Sequence, residues 1–322
     1  MKRLAAIVCF AFVACIPFVT LGQEYPAKVV RIIVPYPPGG PNDLLARIVA
    51  QGLTERWGRQ VIVDNRPGGS TTLGVAAVAR SAPDGYTFLI GSAGSMTIKA
   101  SIFQKLPYDI IKDFTPITIL ASGPFVMVVH PSVPAQNVKE FVALAKKRPG
   151  EMFFGSPGNG SGGHLSGELL KLLAKINIVH VPYKGGGPAM TDLISGQISI
   201  LFSDLTTADP HVKTGRLKAL GVTSSARSPL APTVPTIAEG GVPGYEVTTW
   251  YGLFGPASLP QEIVARLNTD LESLMRLPAT VSRLESLGAD PVTMPQQQFA
   301  EFISKDYAKW SAVVKTANIK VE

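Results

Sequence analysis

The first loop that could bind a ligand combines glycine, proline and acidic residues directly after an apolar run. Residues 35–43 have the sequence Pro-Tyr-Pro-Pro-Gly-Gly-Pro-Asn-Asp and connect a predicted strand to a predicted helix. Gly39 and Gly40 let a ligand approach the backbone closely, and Asp43 suits the first turn of the helix. Because free N–H groups at a helix start attract anions, the loop predicts an anion site. A tight, well-capped turn without a ligand would use the same residues.

Two further loops rich in glycine and small polar residues follow the next two predicted strands. Residues 65–70 follow the second strand, and residues 91–95, which include Ser92, follow the third. Ligands of open α/β sheets bind at the edge where the parallel strands end. Three such loops favour a ligand site at this edge more strongly than one loop would.

The second half of the chain repeats this pattern. Residues 155–163 are rich in glycine and serine and separate a predicted strand from the helix that contains His164. Ser161 suits the N-cap of that helix. Lys184 stands in a glycine-rich loop after the next strand, where it either pairs with a carboxylate or is solvated.

The sequence lacks the signatures of common catalytic and metal sites. Glycines within residues 158–163 match the spacing of a dinucleotide fingerprint, but the next strand does not end in the acid that binds the ribose. No Gly-x-Ser-x-Gly motif or lysine-containing phosphate loop occurs, and the four histidines are not spaced as metal ligands. His164 stands where a ligand could reach it, whereas His180 alternates within a strand and is predicted to be a core or a cross-strand residue. We therefore expect no enzyme, no cofactor and no metal.

Short β-branched runs alternate with stretches of helical periodicity, which predicts βαβ units and parallel sheets. Ser203 and Asp204 close one of these strands, where they either face a cleft or cap a turn. The last predicted helices, residues 261–275, 279–287 and 296–314, have no sheet of their own. We expect them to pack on the first domain, so that the middle domain is an insertion.

The composition excludes several classes of protein. Hydrophobic residues make up 46% of the 322 residues and charged residues 16%, which excludes a disordered chain and a coiled coil. This length predicts about two domains. The formal net charge is +7, but the basic residues are scattered and form no stripe, so we expect no nucleic-acid partner.

Residues 1–22 have the layout of a secretory signal. Two basic residues precede an apolar run over residues 4–21, and small residues permit cleavage near Gly22. A membrane anchor is one alternative, because the run approaches the length of a span, and lipidation at Cys15 is another. Cys9 and Cys15 both lie in this segment, so the mature chain would contain no cysteine and no disulfide. The sequence therefore predicts a periplasmic protein.

From residue 25 to the C-terminus, the sequence resembles the solute-binding receptors of tripartite tricarboxylate transporters, the Bug family. The resemblance covers essentially the whole mature chain, with its segments in order: residues 34–43, 65–68, 83–87, 106–109, 112–114, 164–169, 181–185 and 241–245.

The resemblance implies an α/β fold, that of a two-domain periplasmic binding protein (type II-like). Each domain would be a mostly parallel sheet flanked by helices, with two strands crossing between the domains as a hinge. Residues 23–123 and 247–322 would form domain 1, and residues 124–246 would form the inserted domain 2.

By the same resemblance, the receptor closes on a small carboxylate held largely by backbone N–H groups and water. The residues implied to bind the ligand come from both domains: Tyr36, Gly39, Gly40, Asp43, Ser92, Ser156, Ser161, His164, Tyr183 and Ser203. Lys184 and Asp204 join them because of their places in loops and at a strand end. Ser203-Asp204 stands where Asp-Asn is often found in the family, and this departure leads away from amino acids as ligands.

Three functions are weighed on this basis. The first is a monomeric transport receptor that delivers a di- or tricarboxylate, an aromatic carboxylate or a similar small carboxylate to a membrane permease of the tripartite type. The second is a sensory protein that presents the same ligand to a membrane signalling partner. The third is an enzyme on the same fold, which would need an activated nucleophile or a metal.

Overall fold

The computed structural model describes residues 25–103, 105–317 and 319, and the predicted signal sequence lies outside them. The strands of this part of the chain are β1 (Val30–Val34), β2 (Val61–Asn65), β3 (Thr87–Ser92), β4 (Phe114–Val129), β5 (Phe153–Ser156), β6 (Val179–Pro182), β7 (Ile200–Asp204), β8 (Lys218–Val222), β9 (Thr248–Pro256) and β10 (Asp290–Pro291). Its helices are α1 (Pro41–Trp57), α2 (Thr72–Ala79), α3 (Thr97–Ile102), α4 (Val138–Lys147), α5 (Gly162–Ala174), α6 (Gly186–Ile194), α7 (Leu205–Lys213), α8 (Gln261–Met275), α9 (Pro278–Glu285) and α10 (Gln296–Thr316).

Two sheets share the long strand β4. The first sheet has the strand order β2-β1-β3-β9-β4, and β10 also pairs with β4. The second sheet continues from β4 through β7 and β5 to β6, with β8 also on β4. The three outer strands of the first sheet, β2-β1-β3, run parallel to one another. The three outer strands of the second sheet, β6-β5-β7, do so as well. The carboxyl ends of these strands carry the glycine-rich loops.

The sheets are mixed, whereas the sequence predicts mostly parallel ones. Strand β9 runs antiparallel to β3 and β4, and β4 runs antiparallel to β7 and β8. The physical reason is the crossing between the two halves. A strand that leaves one sheet and enters the other does not follow a helical crossover, which is the connection that parallel neighbours need.

The chain passes twice between the half that contains the first sheet and the half that contains the second, at neighbouring positions. The first half of β4 pairs with β9, and its second half pairs with β7 and β8. The chain returns beside this crossing, where Thr223 Oγ1 donates to the carbonyl of Val247 (2.6 Å) and accepts from the N–H of Phe125 (2.8 Å). These bonds hold the two crossings side by side.

The C-terminal helices pack onto the first sheet and its helices, as the sequence predicts. Helix α10 packs against α3 and β4, and α8 packs against α1 and β4. Asp306 is buried in α10 and accepts hydrogen bonds from Trp250 Nε1 (2.9 Å) and Thr97 Oγ1 (2.6 Å). Asp270 in α8 likewise accepts from Trp57 Nε1 (2.7 Å). Hydrogen bonds to these buried carboxylates thus hold both helices against the first half.

Two helices, α3 and α7, have no recognisable helical pattern in the sequence and were not predicted. Helix α3 has only six residues and follows a loop of small residues, so its periodicity is too short to recognise. Helix α7 contains Pro210 in its interior, which ordinarily ends a helix. Among the helices of the described residues, none combines the length and apolar character required to traverse a bilayer.

Candidate functional site: the cleft between the two sheets

A cavity of about 160 Å³ lies between the two halves of the molecule. The first half contributes residues from the loops after β1 and β3, the second half contributes the start of α5, and the crossing strands form the remaining wall. The lining residues are Tyr36, Asn42, Ser92, Ala93, Gly94, Ile98, Phe125, Gly160, Ser161, Gly162, Val247, Thr248, Thr249 and Tyr251. None of these side chains is charged, and hydroxyl and amide groups alternate with apolar ones.

Another cavity, of about 210 Å³, lies beside α7 and β8 and is lined mostly by apolar side chains. It offers an anion few hydrogen-bond donors. The cleft is therefore the better candidate, because it combines donors with the loops that follow the parallel strands.

The first wall of the cleft is the start of α1. Gly39 has a φ of +91°, which is a conformation that favours glycine, and Gly40 is the N-cap residue. Pro41 occupies the first turn, and no side chain in the described structure caps this helix start. The first N–H groups of α1 therefore have no intrahelical partner and remain available to a ligand. Asn42 is buried, and its Oδ1 atom lacks a hydrogen-bond partner within the described chain.

Asp43 holds this loop in place from behind. Its Oδ2 atom accepts from the N–H of Gly39 (2.9 Å) and from Arg47 Nε (3.0 Å), and its Oδ1 atom accepts from Asn65 Nδ2 (3.0 Å). Burial opposes ionisation of this carboxyl, but the hydrogen bonds from Arg47, Gly39 and Asn65 outweigh it and lower its pKa. Asp43 is thus ionised and fully occupied by protein donors.

The loop after β3 supplies hydroxyl groups to the same wall. Tyr36 Oη lies 3.2 Å from Ser92 Oγ, and Ser95 Oγ accepts from the N–H of Ser92 (3.0 Å). Burial raises the pKa of Tyr36, although hydrogen bonds to Ser92 and Ser95 oppose this effect. These hydroxyl groups are neutral, so they can donate to a carboxylate or accept from a ligand hydroxyl.

The second wall is the start of α5. Ser161 is the N-cap residue, and its Oγ atom accepts from the N–H of His164 (3.2 Å) and donates to the carbonyl of Gly158 (2.7 Å). This confirms the capping role predicted from the sequence. The N–H of Gly160 donates to His164 Nδ1 (3.0 Å), which orients the loop. His164 is therefore buried behind the loop and does not line the cavity.

His164 stacks on His180, with ring centroids 3.8 Å apart and planes 10° apart. His180 Nε2 lies 2.7 Å from Ser156 Oγ, so that strand β5 and strand β6 both support the pair. Burial, followed by the positive charges of nearby groups, lowers the pKa of His164 to about 3 and that of His180 to about 4. Both rings are neutral, which His164 Nδ1 requires in order to accept a hydrogen bond.

The remaining residues expected at the site lie around the cavity rather than in its lining. Tyr183 Oη donates to Asp192 Oδ2 (2.7 Å) within the second half, and Lys184 is exposed. Ser203 Oγ donates to the carbonyl of Asp204 (3.3 Å), and Asp204 ends β7. Of the residues expected from the sequence, the cavity brings together Tyr36, Ser92 and Ser161.

Several lining residues were not expected from the sequence. Phe125, Thr248 and Tyr251 come from the crossing strands, whose apolar patterns predict only a buried sheet. Asn42 lies within the first glycine-rich loop and could have been found as the polar residue in the first helical turn.

Comparison with known proteins identifies the family. Residues 45–319 match the family model described as the tripartite tricarboxylate transporter family receptor. The chain belongs to this family. The members of the tripartite tricarboxylate transporter receptor family are periplasmic solute-binding receptors and not a family of enzymes.

Relatives of this receptor family match nearly the whole chain. Protein BugT of Bordetella pertussis is 33% identical over 324 residues, which cover 100% of this chain and 99% of BugT. A structure from R. palustris with adipate is 36% identical, with a TM-score of 0.77, and the match covers 92% of this chain and 99% of that chain. MatC from Rhodopseudomonas palustris with bound malate is 32% identical, with a TM-score of 0.72, and the match covers 90% of this chain and 100% of that chain.

The comparisons confirm the resemblance seen in the sequence and the α/β fold of a two-domain periplasmic binding protein. For a tripartite tricarboxylate transporter receptor, the geometry of the cleft has a clear chemical meaning. Helix starts and neutral hydroxyl groups from both halves can surround an anion in this cleft.

Proposed function

We propose that this protein is an extracytoplasmic receptor that captures a small carboxylate in the cleft between its two domains. It then delivers the ligand to the membrane subunits of a tripartite tricarboxylate-type transporter. One observation carries this proposal: the starts of α1 and α5, one from each half, open onto a single cavity lined by hydroxyl and amide groups.

The electrostatics of the cavity support an anionic ligand bound without a buried cation. Helix starts carry a partial positive charge, and their free N–H groups donate hydrogen bonds to a carboxylate. A buried lysine or arginine would have to lose its hydration first, which costs several kcal/mol. The family members solved with adipate and with malate support a carboxylate as the ligand class.

The site residues divide into two groups in this proposal. Tyr36, Ser92 and Ser161 contact the ligand, together with the backbone around Gly39 and Gly40. The supporting residues hold these groups from behind: Asp43, Ser156 and His164. Tyr183 and Lys184 shape the rim of the second domain, and Ser203 precedes the strand end at Asp204.

The domain division also belongs to the proposal. Residues 23–123 and 247–322 form domain 1, and residues 124–246 form domain 2. The crossings at β4 and beside Thr223 support these boundaries, because the chain passes from one sheet to the other there. We further propose export by residues 1–22, with cleavage near Gly22, and action as a monomer.

A thermal-shift screen of the exported protein against di- and tricarboxylates, aromatic carboxylates and amino acids tests the proposal. A ligand present at about 100 times its dissociation constant stabilises the folded state by about 2.7 kcal/mol. Isothermal titration calorimetry then gives the dissociation constant of each hit. A protein that binds none of these anions, either as purified or after unfolding and refolding to remove a bound ligand, would contradict the proposal.

Two glycine variants show whether the hits bind in the cleft. A side chain on Gly94 would enter the cavity, since a Cβ atom there would lie 3.3 Å from Tyr36 Oη. Gly187 lies in α6, where a Cβ atom would meet nothing within 4 Å. We expect Gly94→Val to weaken binding at least tenfold and Gly187→Val to leave it unchanged. Equal affinities in the two variants would place the ligand elsewhere.

A further inference from the structure

We propose that Asp204 sets the ligand selectivity of the cleft. It makes the receptor prefer a carboxylate whose other end carries a protonated amine over one whose other end is a second carboxylate. This inference rests on the function proposed above, because it specifies the far end of a ligand that the helix starts hold by its carboxylate.

Asp204 stands where the second half meets the cleft. It is the last residue of β7, at the carboxyl end of the parallel strands, and it pairs in register with Phe125 of β4. Phe125 lines the cavity. Tyr251, which also lines the cavity, belongs to the first half. Burial raises the pKa of Tyr251 to about 12, and the negative charge of Asp204 adds to this effect. Since directly opposite residues of neighbouring strands lie on the same face of a sheet, Asp204 is on the face of Phe125, which lines the cavity.

The carboxylate of Asp204 has no partner among the described side chains. Asp204 is the N-cap residue of α7, yet its side chain makes no capping hydrogen bond. It takes part in none of the ion pairs found in the described residues, and the residue is exposed to solvent. Asp43, by contrast, is occupied by three protein donors. Asp204 is thus the acid that remains free for a ligand.

The surroundings of Asp204 favour a cation beside it. Although solvent reaches Asp204, the protein packed around its carboxyl raises its pKa, so the ionised form is solvated less well than in open water. An ammonium group would restore the lost stabilisation, whereas a second carboxylate would be repelled at short range. The cavity lining itself carries no charged side chain that would compete with Asp204 for the far end of the ligand.

The family pattern at this strand end leads to the opposite expectation, because Ser203 stands where an acid is often found. The structure places a free carboxylate one residue later, at the end of the same strand. Successive strand residues point to opposite faces of a sheet, so this carboxylate lies on the face of Phe125 and does not take the place of the family's acid.

Three ligands of equal length test the inference. Hexanoate, 6-aminohexanoate and adipate share a carboxylate and a six-carbon chain, and their other ends are a methyl, an ammonium and a second carboxylate. Calorimetry measures their dissociation constants for the wild type and for Asp204→Asn, which keeps the shape of the side chain and remains a good N-cap residue. Butyrate, 4-aminobutyrate and succinate repeat the comparison with four-carbon chains, in case the cavity admits only shorter ligands.

Asp209→Asn is the matched control, because Asp209 lies on α7 and already pairs with Lys213 (2.7 Å).

We expect the wild type to bind the amine most tightly and the dicarboxylate least tightly. Asp204→Asn should weaken the amine about tenfold, strengthen the dicarboxylate about tenfold and change the methyl compound less than twofold. A wild type that prefers the dicarboxylate, or an equal change in Asp209→Asn, would overturn the role of Asp204 while leaving the proposed function standing. If none of the six compounds binds either protein, the inference fails, and the wider carboxylate screen described above decides the proposed function separately.

Discussion

The two loops that face each other across the cleft are held by the same type of hydrogen bond, but the side chains that accept it differ. In domain 1, the N–H of Gly39 donates to the side chain of Asp43 (2.9 Å), four residues later. In domain 2, the N–H of Gly160 donates to the side chain of His164 (3.0 Å), again four residues later. Both glycines have a positive φ, and both acceptors are the third residue of their helix. A side chain inside the helix thus fixes the glycine before its N-cap.

The acceptors differ in charge, and this difference shows how each loop remains compatible with an anion. Asp43 is negatively charged, but Arg47 Nε lies 3.0 Å from its Oδ2 atom. The positive charge of Arg47 offsets the negative charge of Asp43 beside the cleft. His164 is neutral and contributes no charge at all. One loop therefore depends on an ion pair, and the other depends on a buried imidazole that must stay unprotonated.

The largest effect is expected when the charged acceptor is removed. Asp43→Ala leaves three donors without their partner, namely those of Gly39, Arg47 and Asn65. These donors are exposed or half-buried, so water replaces part of the lost bonding, and we expect a loss of about 1–2 kcal/mol in the free energy of unfolding. Ligand affinity should fall about 100-fold because the loop is no longer fixed. Urea denaturation and calorimetry measure the two losses.

Asp43→Asn serves as the control for shape, since it keeps one oxygen acceptor and loses the charge. It should lie between the wild type and Asp43→Ala in both measurements. Unchanged affinity in Asp43→Ala would show that the loop does not depend on this carboxylate.

Replacing the neutral acceptor, His164, should have a smaller effect. Two variants test whether the position of its Nδ1 atom matters. Asparagine can place an oxygen near the position of Nδ1 of His164, whereas glutamine places its polar group nearer to Nε2. Both variants lose the stacking on His180, so their difference reports the hydrogen bond from Gly160 alone. We expect His164→Gln to weaken ligand binding about tenfold and His164→Asn to weaken it about threefold. Equal affinities would contradict the role given to Nδ1.

Much of this arrangement can be predicted from the sequence, because local chemistry determines it. The bounds of α8 agree with those predicted from its periodicity, and Ser161 occupies the N-cap that its residue type favours. The glycine-rich loops follow the strands as expected, since turns and helix starts select their residues within a few positions.

The contacts between distant segments could not be predicted in this way. Phe125 lies so close to α5 that a Cβ atom on Gly162 would be 2.5 Å from its ring, yet nothing near either residue in the sequence indicates this contact. The stacking of His164 on His180 likewise depends on how α5 packs over β5 and β6. Pairing and packing of this kind depend on the whole fold, and propensity carries no information about them.

The smallest expected effect concerns pH, and it separates the two loops. The folded-state pKa values of His164 and His180, about 3 and about 4, lie below the unfolded value near 6.5. Their contribution to stability is therefore complete above pH 6.5 and declines as the pH falls below it, because the unfolded chain gains protons there first. Asp43 has a lowered pKa, so its contribution declines only below about pH 4.

Urea denaturation at pH 7.5 and pH 5.0 measures this difference. Because His180 is only half-buried and shares its surroundings with His164, we expect each histidine to account for about 1 kcal/mol of lost stability over this interval. His164→Asn should lose about 1 kcal/mol less than the wild type on acidification, and Asp43→Asn should lose the same amount as the wild type. His130→Asn is the matched control, because His130 contacts Ser132 at the surface and not the paired rings. An identical loss in His164→Asn and the wild type would show that the imidazole pair does not stay neutral in the folded protein, and the contrast between the two loops would then rest on geometry alone.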